Sequence, residues 1–394
     1  MQESEAVGFA RDHETPLTTA TKPPMMIEDA GYMHWAKTHP RVRFELTDSG
    51  MPSADLGLLG ATTDHVELQV RGDYGDPRLM DAIARRYDVP ADHIVPVPAA
   101  SSGNFIALAS VCRRRDTVLV EHPVYDPITR VAAFFDLRVV PFHRRPTDGF
   151  EMHVDVRRIA RECGTKIRAV VTTNLHNPSG RYESPECIAA LARDCRGIGA
   201  HLIVDEAYLD GACIVGGRAM ETAARLGENV VAVNSMTKIL GLAGLRVGWI
   251  IAEPLVVERA RNVMDLISIN NAAPSASIAL RAFERLADLE NRYRRFHARG
   301  QRVYRKWLSE QSAARGYENH GGLFELLALP AGVAAADLCE RLRADHDTQV
   351  TPGDFFGLPY HVRLSLTLEE KPLREALDRL GRAMDEASAG VRTS

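Results

Sequence analysis

Short apolar, β-branched runs alternate with helical segments between residues 77 and 252, and this leaves few folds open. Runs such as Val170-Val171-Thr172, Leu202-Ile203-Val204 and Val230-Val231-Ala232-Val233 are apolar at successive positions rather than alternate ones. A strand apolar on both faces needs cover on both sides, and helices between consecutive strands supply cover and crossover together. The pattern places strands at 93–97, 117–120, 137–141, 168–172, 200–204, 228–234 and 247–252, with helices at 77–87, 104–114, 125–135 and 185–196. It predicts an α/β class with a mainly parallel sheet flanked by helices. A proline-free helical pattern follows at 275–311, then strands at 323–328 and 361–366 and helices at 335–345 and 372–386, which read as a small α+β domain. The expected organisation is an N-terminal arm or part of the small domain (1–45), a large domain (46–265), and a connecting helix with the small domain (266–394).

Composition excludes several function classes. With 48 Lys+Arg against 52 Asp+Glu over 394 residues, the formal charge is −4, so no general attraction to phosphate backbones exists and nucleic acid is not expected as a partner. No apolar run approaches the ~18 residues of a membrane span. The acidic start Met1-Gln2-Glu3-Ser4-Glu5 has no apolar core after it, so no secretory signal is expected. Cys112, Cys163, Cys187, Cys195, Cys213 and Cys339 show no C-x-x-C spacing and read as reduced thiols of a cytoplasmic protein, and the histidines show no metal-ligand pattern, so no metal is expected.

Most of the chemistry-bearing residues sit at the C-terminal ends of the expected strands, where open α/β sheets bind ligands. Asn174-Leu175-His176-Asn177-Pro178-Ser179-Gly180 follows one strand; alone it is a turn. Asp205-Glu206-Ala207-Tyr208 follows the next; a carboxylate there is either paired or a helix cap. Ser235-Met236-Thr237-Lys238 follows the third, and a lysine just past a buried strand can act as a nucleophilic amine. The glycine-rich Gly241-Leu242-Ala243-Gly244-Leu245-Arg246 adds a phosphate-binding fork. Arg363, inside His361-Val362-Arg363-Leu364-Ser365-Leu366, either seeks an anion or lies on an exposed edge.

Taken in this order, these clusters resemble the class I/II aminotransferases, the fold-type I pyridoxal-phosphate enzymes. Gly75-Asp76-Pro77-Arg78-Leu79, Ala100-Ser101-Ser102-Gly103-Asn104-Phe105, Glu121-His122-Pro123-Val124-Tyr125 and Pro352-Gly353-Asp354-Phe355-Phe356-Gly357 extend the resemblance over nearly the whole chain. The resemblance implies pyridoxal 5′-phosphate as cofactor, Lys238 as its Schiff-base lysine, Asp205 on the pyridine nitrogen, and Asn177 and Tyr208 on the phenolate oxygen. It places Tyr125 on the ring face. Ser101 and Ser102, at the start of a helix beginning near Gly103, would hold the phosphate together with Ser235 and Arg246. Arg363 would take the substrate α-carboxylate, with Asn177 beside it and the backbone near Ser49-Gly50 as a second clamp. The resemblance also implies amino acid and 2-oxo acid substrates and a homodimer with its active site at the subunit interface. Two departures stand out. The phosphate turn has Ala99 and Ser102 where the family has Gly and Glu, and Val70 occupies the usual place of a tyrosine that reaches the neighbouring subunit, so Tyr74 is the substitute. Substrate side-chain contacts are expected from the arm near Tyr32, His34 and Trp35.

H-N-P-S-G followed by P-G-x-x-F-G is also similar to capreomycidine synthases. An elimination, cyclisation or oxidation on the same cofactor is therefore the alternative to amino transfer. Ser235-x-x-Lys238 matches the S-x-x-K of serine acylases, but the chain has no S-D-N or K-T-G. A transcriptional regulator would need a DNA-binding domain, and residues 1–45 hold no basic helix-turn-helix pattern.

Overall fold

The structure is a computed structural model that describes residues 30–393. Residues 1–29 of the expected arm lie outside the described residues. Strand β1 (Phe44–Leu46) belongs to the smaller of two sheets. Seven strands form the larger one: β2 (Ile94–Val97), β3 (Thr117–His122), β4 (Arg138–His143), β5 (Ile167–Thr173), β6 (His201–Asp205), β7 (Val230–Ser235) and β8 (Gly248–Ile251). Their order is β2-β8-β7-β6-β5-β3-β4, and every pair is parallel except the two made by β8. The α/β class with a mainly parallel sheet is thus confirmed.

The reversal at β8 has a local cause. Between β7 and β8 the chain forms only the short 3-10 turn Ala243–Leu245. Without a crossover helix the next strand must return from the same end. The segment carrying Lys238 and Arg246 is therefore held above the C-terminal edge of the sheet.

β5, β6 and β7 are buried along almost their whole length. The helix Ala99–Val111 packs against β7 and β8. It starts earlier than the expected position near Gly103. Ala-Ser-Ser-Gly reads as a loop from local propensity, and sheet packing overrides that preference. Gly103 permits the approach, since a Cβ there would lie 2.4 Å from Val233 Cγ1.

The expected helix 275–311 is two helices, Ala273–Glu284 and Leu286–Ser309. The break at Arg285 uses neither Pro nor Gly, so it left no local signal. Leu289 of the second helix packs with Leu79 and Trp249 beside the larger sheet, whereas Val303, Tyr304 and Trp307 pack with Leu327 and Leu364 of the smaller one.

The smaller sheet adds β9 (Arg315–Gly316), β10 (Phe324–Ala328), β11 (Thr348–Pro352) and β12 (His361–Ser365), in the order β1-β11-β12-β10-β9. β1 pairs parallel with β11, with Phe44 opposite Thr348 and Leu46 opposite Val350. β11 escaped the periodicity reading because Thr348-Gln349-Val350-Thr351-Pro352 is polar yet buried. Among the described residues no helix is long and apolar enough to cross a membrane, no group of His, Cys, Asp or Glu is placed to hold a metal, and all six cysteines are free.

Gly248 fixes the join between β7, β8 and the helix Ala99–Val111. A Cβ there would lie 2.7 Å from the Asn234 carbonyl oxygen and 2.8 Å from Ala99 backbone atoms. Backbone cannot move aside as a side chain can, so Gly248→Ala is expected to cost about 1–3 kcal/mol of stability. Denaturant titration would measure this, and an unchanged midpoint would contradict the packing.

Candidate active site

The C-terminal ends of β5, β6 and β7 open onto a cavity of about 410 Å³. Residues 47–53, which follow β1, form its opposite wall together with one face of the helix Gly31–Thr38. Of the residues singled out in the sequence, Gly50, Ser101, Tyr125, Asn177, Asp205, Tyr208, Ser235, Lys238 and Arg246 line it. Ser102, Tyr74 and Arg363 do not.

Lys238 is half-buried, and its Nζ donates to Ser49 Oγ at 2.8 Å. Its backbone carbonyl accepts from Met51 N at 2.7 Å. Gly50 lies against it so closely that a Cβ would sit 3.1 Å from Lys238 Cα. The amine bonds Ser49 and not Ser235, so Ser235 and Lys238 are not arranged as a serine-acylase pair.

Asp205 ends β6, buried on the cavity wall. Its Oδ2 accepts from Asn104 Nδ2 at 2.6 Å and its Oδ1 from Ala207 N at 3.0 Å. Burial pushes this carboxyl above its ordinary range, although both hydrogen bonds and the Lys238 charge oppose the shift. Asp205 forms no ion pair among the described residues, so a cationic N–H placed in the cavity would complete it.

Arg363 lies on β12, a central strand of the smaller sheet, and is 1% exposed. That rules out the exposed-edge alternative. Its Nη1 donates to Asn177 Oδ1 at 2.9 Å and its Nη2 to Tyr32 Oη at 2.6 Å. The rings of Tyr32, Phe324 and Phe356 surround it at 5.3, 5.3 and 5.0 Å. It makes no ion pair with any carboxylate among the described residues. Because guanidinium only donates, Asn177 must turn its oxygen toward Arg363 and its Nδ2 amide toward the cavity. Burial resists ionisation of Tyr32, but the nearby Arg363 and Lys238 charges outweigh it and hold the phenol below its usual range.

The Asn177 loop is held from beneath by buried charges. Arg144 pairs with Glu121 at 3.1 Å and with Glu183. Glu121 accepts from Thr172 Oγ1 and from Thr173 N and Oγ1, each at 2.6 Å. His176 is neutral, its pKa driven far down by burial. Its Nε2 donates to the Pro123 carbonyl at 2.9 Å, which leaves Nδ1 to accept from Ser179 Oγ at 2.7 Å.

Sequence reasoning missed Ser49 as a partner of Lys238, Tyr32 as a partner of Arg363, and Thr237. Thr237 lines the cavity with its hydroxyl buried and unpartnered. The signal for Thr237 was its place between Ser235 and Lys238. The expectation for the arm also needs correction. Tyr32, Met33 and Ala36 face the cavity, while His34 is exposed and Trp35 stacks on His39 at 4.5 Å. The spacing i, i+1, i+4 is one helical face. Tyr74 is 38% exposed, its hydroxyl 3.4 Å from Asp265, so within one chain it stays outside the cavity.

Residues 59–380 match the family described as aminotransferase class I and II. The chain belongs to this family. Its relatives include an arginine–pyruvate transaminase of Pseudomonas aeruginosa, 26% identical over 82% of this chain and 83% of that one. A capreomycidine synthase of Streptomyces vinaceus is 27% identical over 86% of this chain and 87% of that one. The fold matches that of a pyridoxal-phosphate-dependent aminotransferase from Streptococcus suis with a TM-score of 0.82 and 19% identity, over 92% of this chain and 99% of that one. The protein is accordingly a pyridoxal-phosphate-dependent enzyme of the aminotransferase family. The cavity fits such a cofactor on its own chemistry. It presents a buried carboxylate without a cation at one place. At another it presents the Thr237 hydroxyl and Arg246, which among the described residues have no hydrogen-bond partner and no ion pair respectively, and the helix start at Ala99–Ser101, which suits an anion.

Glu206, next to Asp205, points away into the core, where it accepts from Thr222 Oγ1 at 2.8 Å and Ala223 N at 2.6 Å. Burial raises its pKa from 4.5 to about 8. Across that window the folded protein keeps a proton that the unfolded chain has shed, so stability falls as pH rises through it. Glu206→Gln keeps the bond from Ala223 N and reverses the other, its amide N–H donating to Thr222 Oγ1, and is expected to flatten this fall, measured by unfolding at about pH 5 and about pH 8. Equal slopes in the two proteins would contradict it.

Proposed function

We propose that the protein transfers the amino group of an amino acid to a 2-oxo acid. The observation that carries this reading is one cavity shared by a free amine (Lys238) and an unpaired buried carboxylate (Asp205), closed at its edge by a buried guanidinium without an anion (Arg363). Pyridoxal phosphate, when bound, supplies a carbonyl that captures the substrate amine and a ring that draws electrons from the carbon beside it.

Asp205 would hold a proton on the ring nitrogen. Asn177, its amide oriented by Arg363, would donate together with Tyr208 to the ring oxygen, and Tyr125 would cover a ring face. Ser101, Ser235 and Arg246 would hold the phosphate and Thr237 would join them, whereas Ser102 does not line the cavity and is not one of this set. Lys238 would carry the cofactor and, once released, would move the proton from the substrate Cα, with Ser49 holding its amine as it does here. Arg363 takes the α-carboxylate, an anion that supplies the charge its pocket lacks, with the Gly50 backbone as the second clamp.

Lys238→Ala is expected to lose the visible absorbance of covalently held cofactor and to lower the rate of amino transfer by about 10²–10⁴-fold, the range for removing a general base. An unchanged spectrum and rate would reject the reading.

A second reading is elimination or cyclisation of the amino acid, supported by the likeness to the capreomycidine synthase. Release of ammonia or a cyclic product, in place of a 2-oxo acid with the cofactor left in its amino form, would favour it.

A homodimer completes the proposal. Leu68, Val70, Leu266, Ile267 and Ile269 are all more than half exposed, and their segments touch where Asn270 Nδ2 donates to the Asp73 carbonyl. This apolar surface adjoins Tyr74, which would reach the second subunit's phosphate from there. Leu266→Glu is expected to shift sedimentation toward monomer, while a wild-type protein that sediments as a monomer would overturn the dimer.

A further inference from the structure

The charges that line the cavity are Asp48, Asp205, Lys238 and Arg246. On the proposed reading, on which this inference rests, Asp205, Lys238 and Arg246 serve the cofactor, and Arg363 behind Asn177 serves the α-carboxylate. Asp48 is left over. It is exposed, and it makes no hydrogen bond or ion pair among the described residues.

Its position is nevertheless fixed on both sides. Thr47 is buried and its hydroxyl donates to Glu45 at 2.7 Å, and Ser49 is buried and holds the Lys238 amine at 2.8 Å. Asp48 lines the same cavity as the reacting amine, and the largely apolar side chains of Tyr32, Met33, Ala36, Met51 and Pro52 line it too.

We infer that Asp48 selects an amino donor with a cationic side chain, an ammonium or a guanidinium. The apolar wall takes a stem of roughly three or four methylenes while its charged head remains at the wet mouth beside Asp48. Among the described residues a donor with a second carboxylate finds no spare cation in this cavity and meets Asp48 as a like charge. A preformed carboxylate at a fixed site adds selectivity without the entropic penalty of ordering a loop.

The test follows the visible absorbance of the holoenzyme in the half-reaction with the common protein amino acids and norleucine. Arginine or lysine is expected to exceed norleucine in kcat/KM by about tenfold or more, with glutamate below both. In Asp48→Asn the ratio of arginine to norleucine falls by about tenfold, chiefly through KM, and Asp48→Glu restores part of it. Calorimetric titration of Lys238→Ala holoenzyme with arginine, with and without Asp48→Asn, reads the same difference without turnover. A wild-type preference for glutamate or norleucine, or a ratio unmoved in Asp48→Asn, overturns the inference and leaves the aminotransferase reading standing. Absence of any spectral response across the panel removes both.

Discussion

A guanidinium is buried with no anion beside it among the described residues, and much of the site follows from how the fold tolerates this. Removing a charge from water costs several kcal/mol unless partners replace the lost hydration. For Arg363 the replacements are neutral: the Asn177 oxygen, the Tyr32 hydroxyl and three aromatic faces. Each is weaker than a carboxylate, a cation–π contact giving about 0.5–2 kcal/mol. The arrangement holds the arginine in place yet leaves it a stronger affinity for an anion than for its present partners. It also links the smaller sheet, through β12, to the loop after β5, and so fixes which end of the Asn177 amide meets the cavity.

Three carboxylates near one another in this fold meet different ends. Glu206 is buried with two donors and no cation, and it keeps its proton well into the neutral range. Asp205, the residue before it, faces the opposite side, where the Lys238 charge lies within reach. Side chains of consecutive residues at a strand end point to opposite faces, so one step along the chain separates a structural acid from one open to a ligand. Asp48 remains solvated at the mouth, where charge costs little and can act on whatever arrives.

The larger sheet was legible because its strands carry a strong, unambiguous pattern, and the ends of those strands hold most of the cavity. Asn177, Asp205, Tyr208, Ser235, Lys238 and Arg246 all follow a buried run, so strand placement alone put them on one edge. What escaped was non-local. Tyr32 and Ser49 meet Arg363 and Lys238 across 331 and 189 residues of chain, and no local spacing encodes such contacts. The start of the helix at Ala99 and the break at Arg285 escaped for a related reason. Packing, not propensity, decides both. β11 was hidden because its polar side chains are satisfied inside the protein, and a periodicity of apolar residues does not register them.

Depth within the cavity divides reaction from selection. Asp205, Asn177 and Arg363 are all buried, locked by hydrogen bonds, and supported by the charge network of Arg144, Glu121 and Glu183. Such groups are held in one geometry, which is what orientation of a reacting carbon demands. The mouth is built from residues 47–53 and the short helix Gly31–Thr38, segments outside the larger sheet. Changes there alter charge and shape around a substrate side chain without disturbing the strand ends. A net charge of −4 spread over 394 residues says nothing of this division. Among the described residues the charges that line the cavity are Asp48 and Asp205 against Lys238 and Arg246, and a ligand would meet their placement rather than their sum.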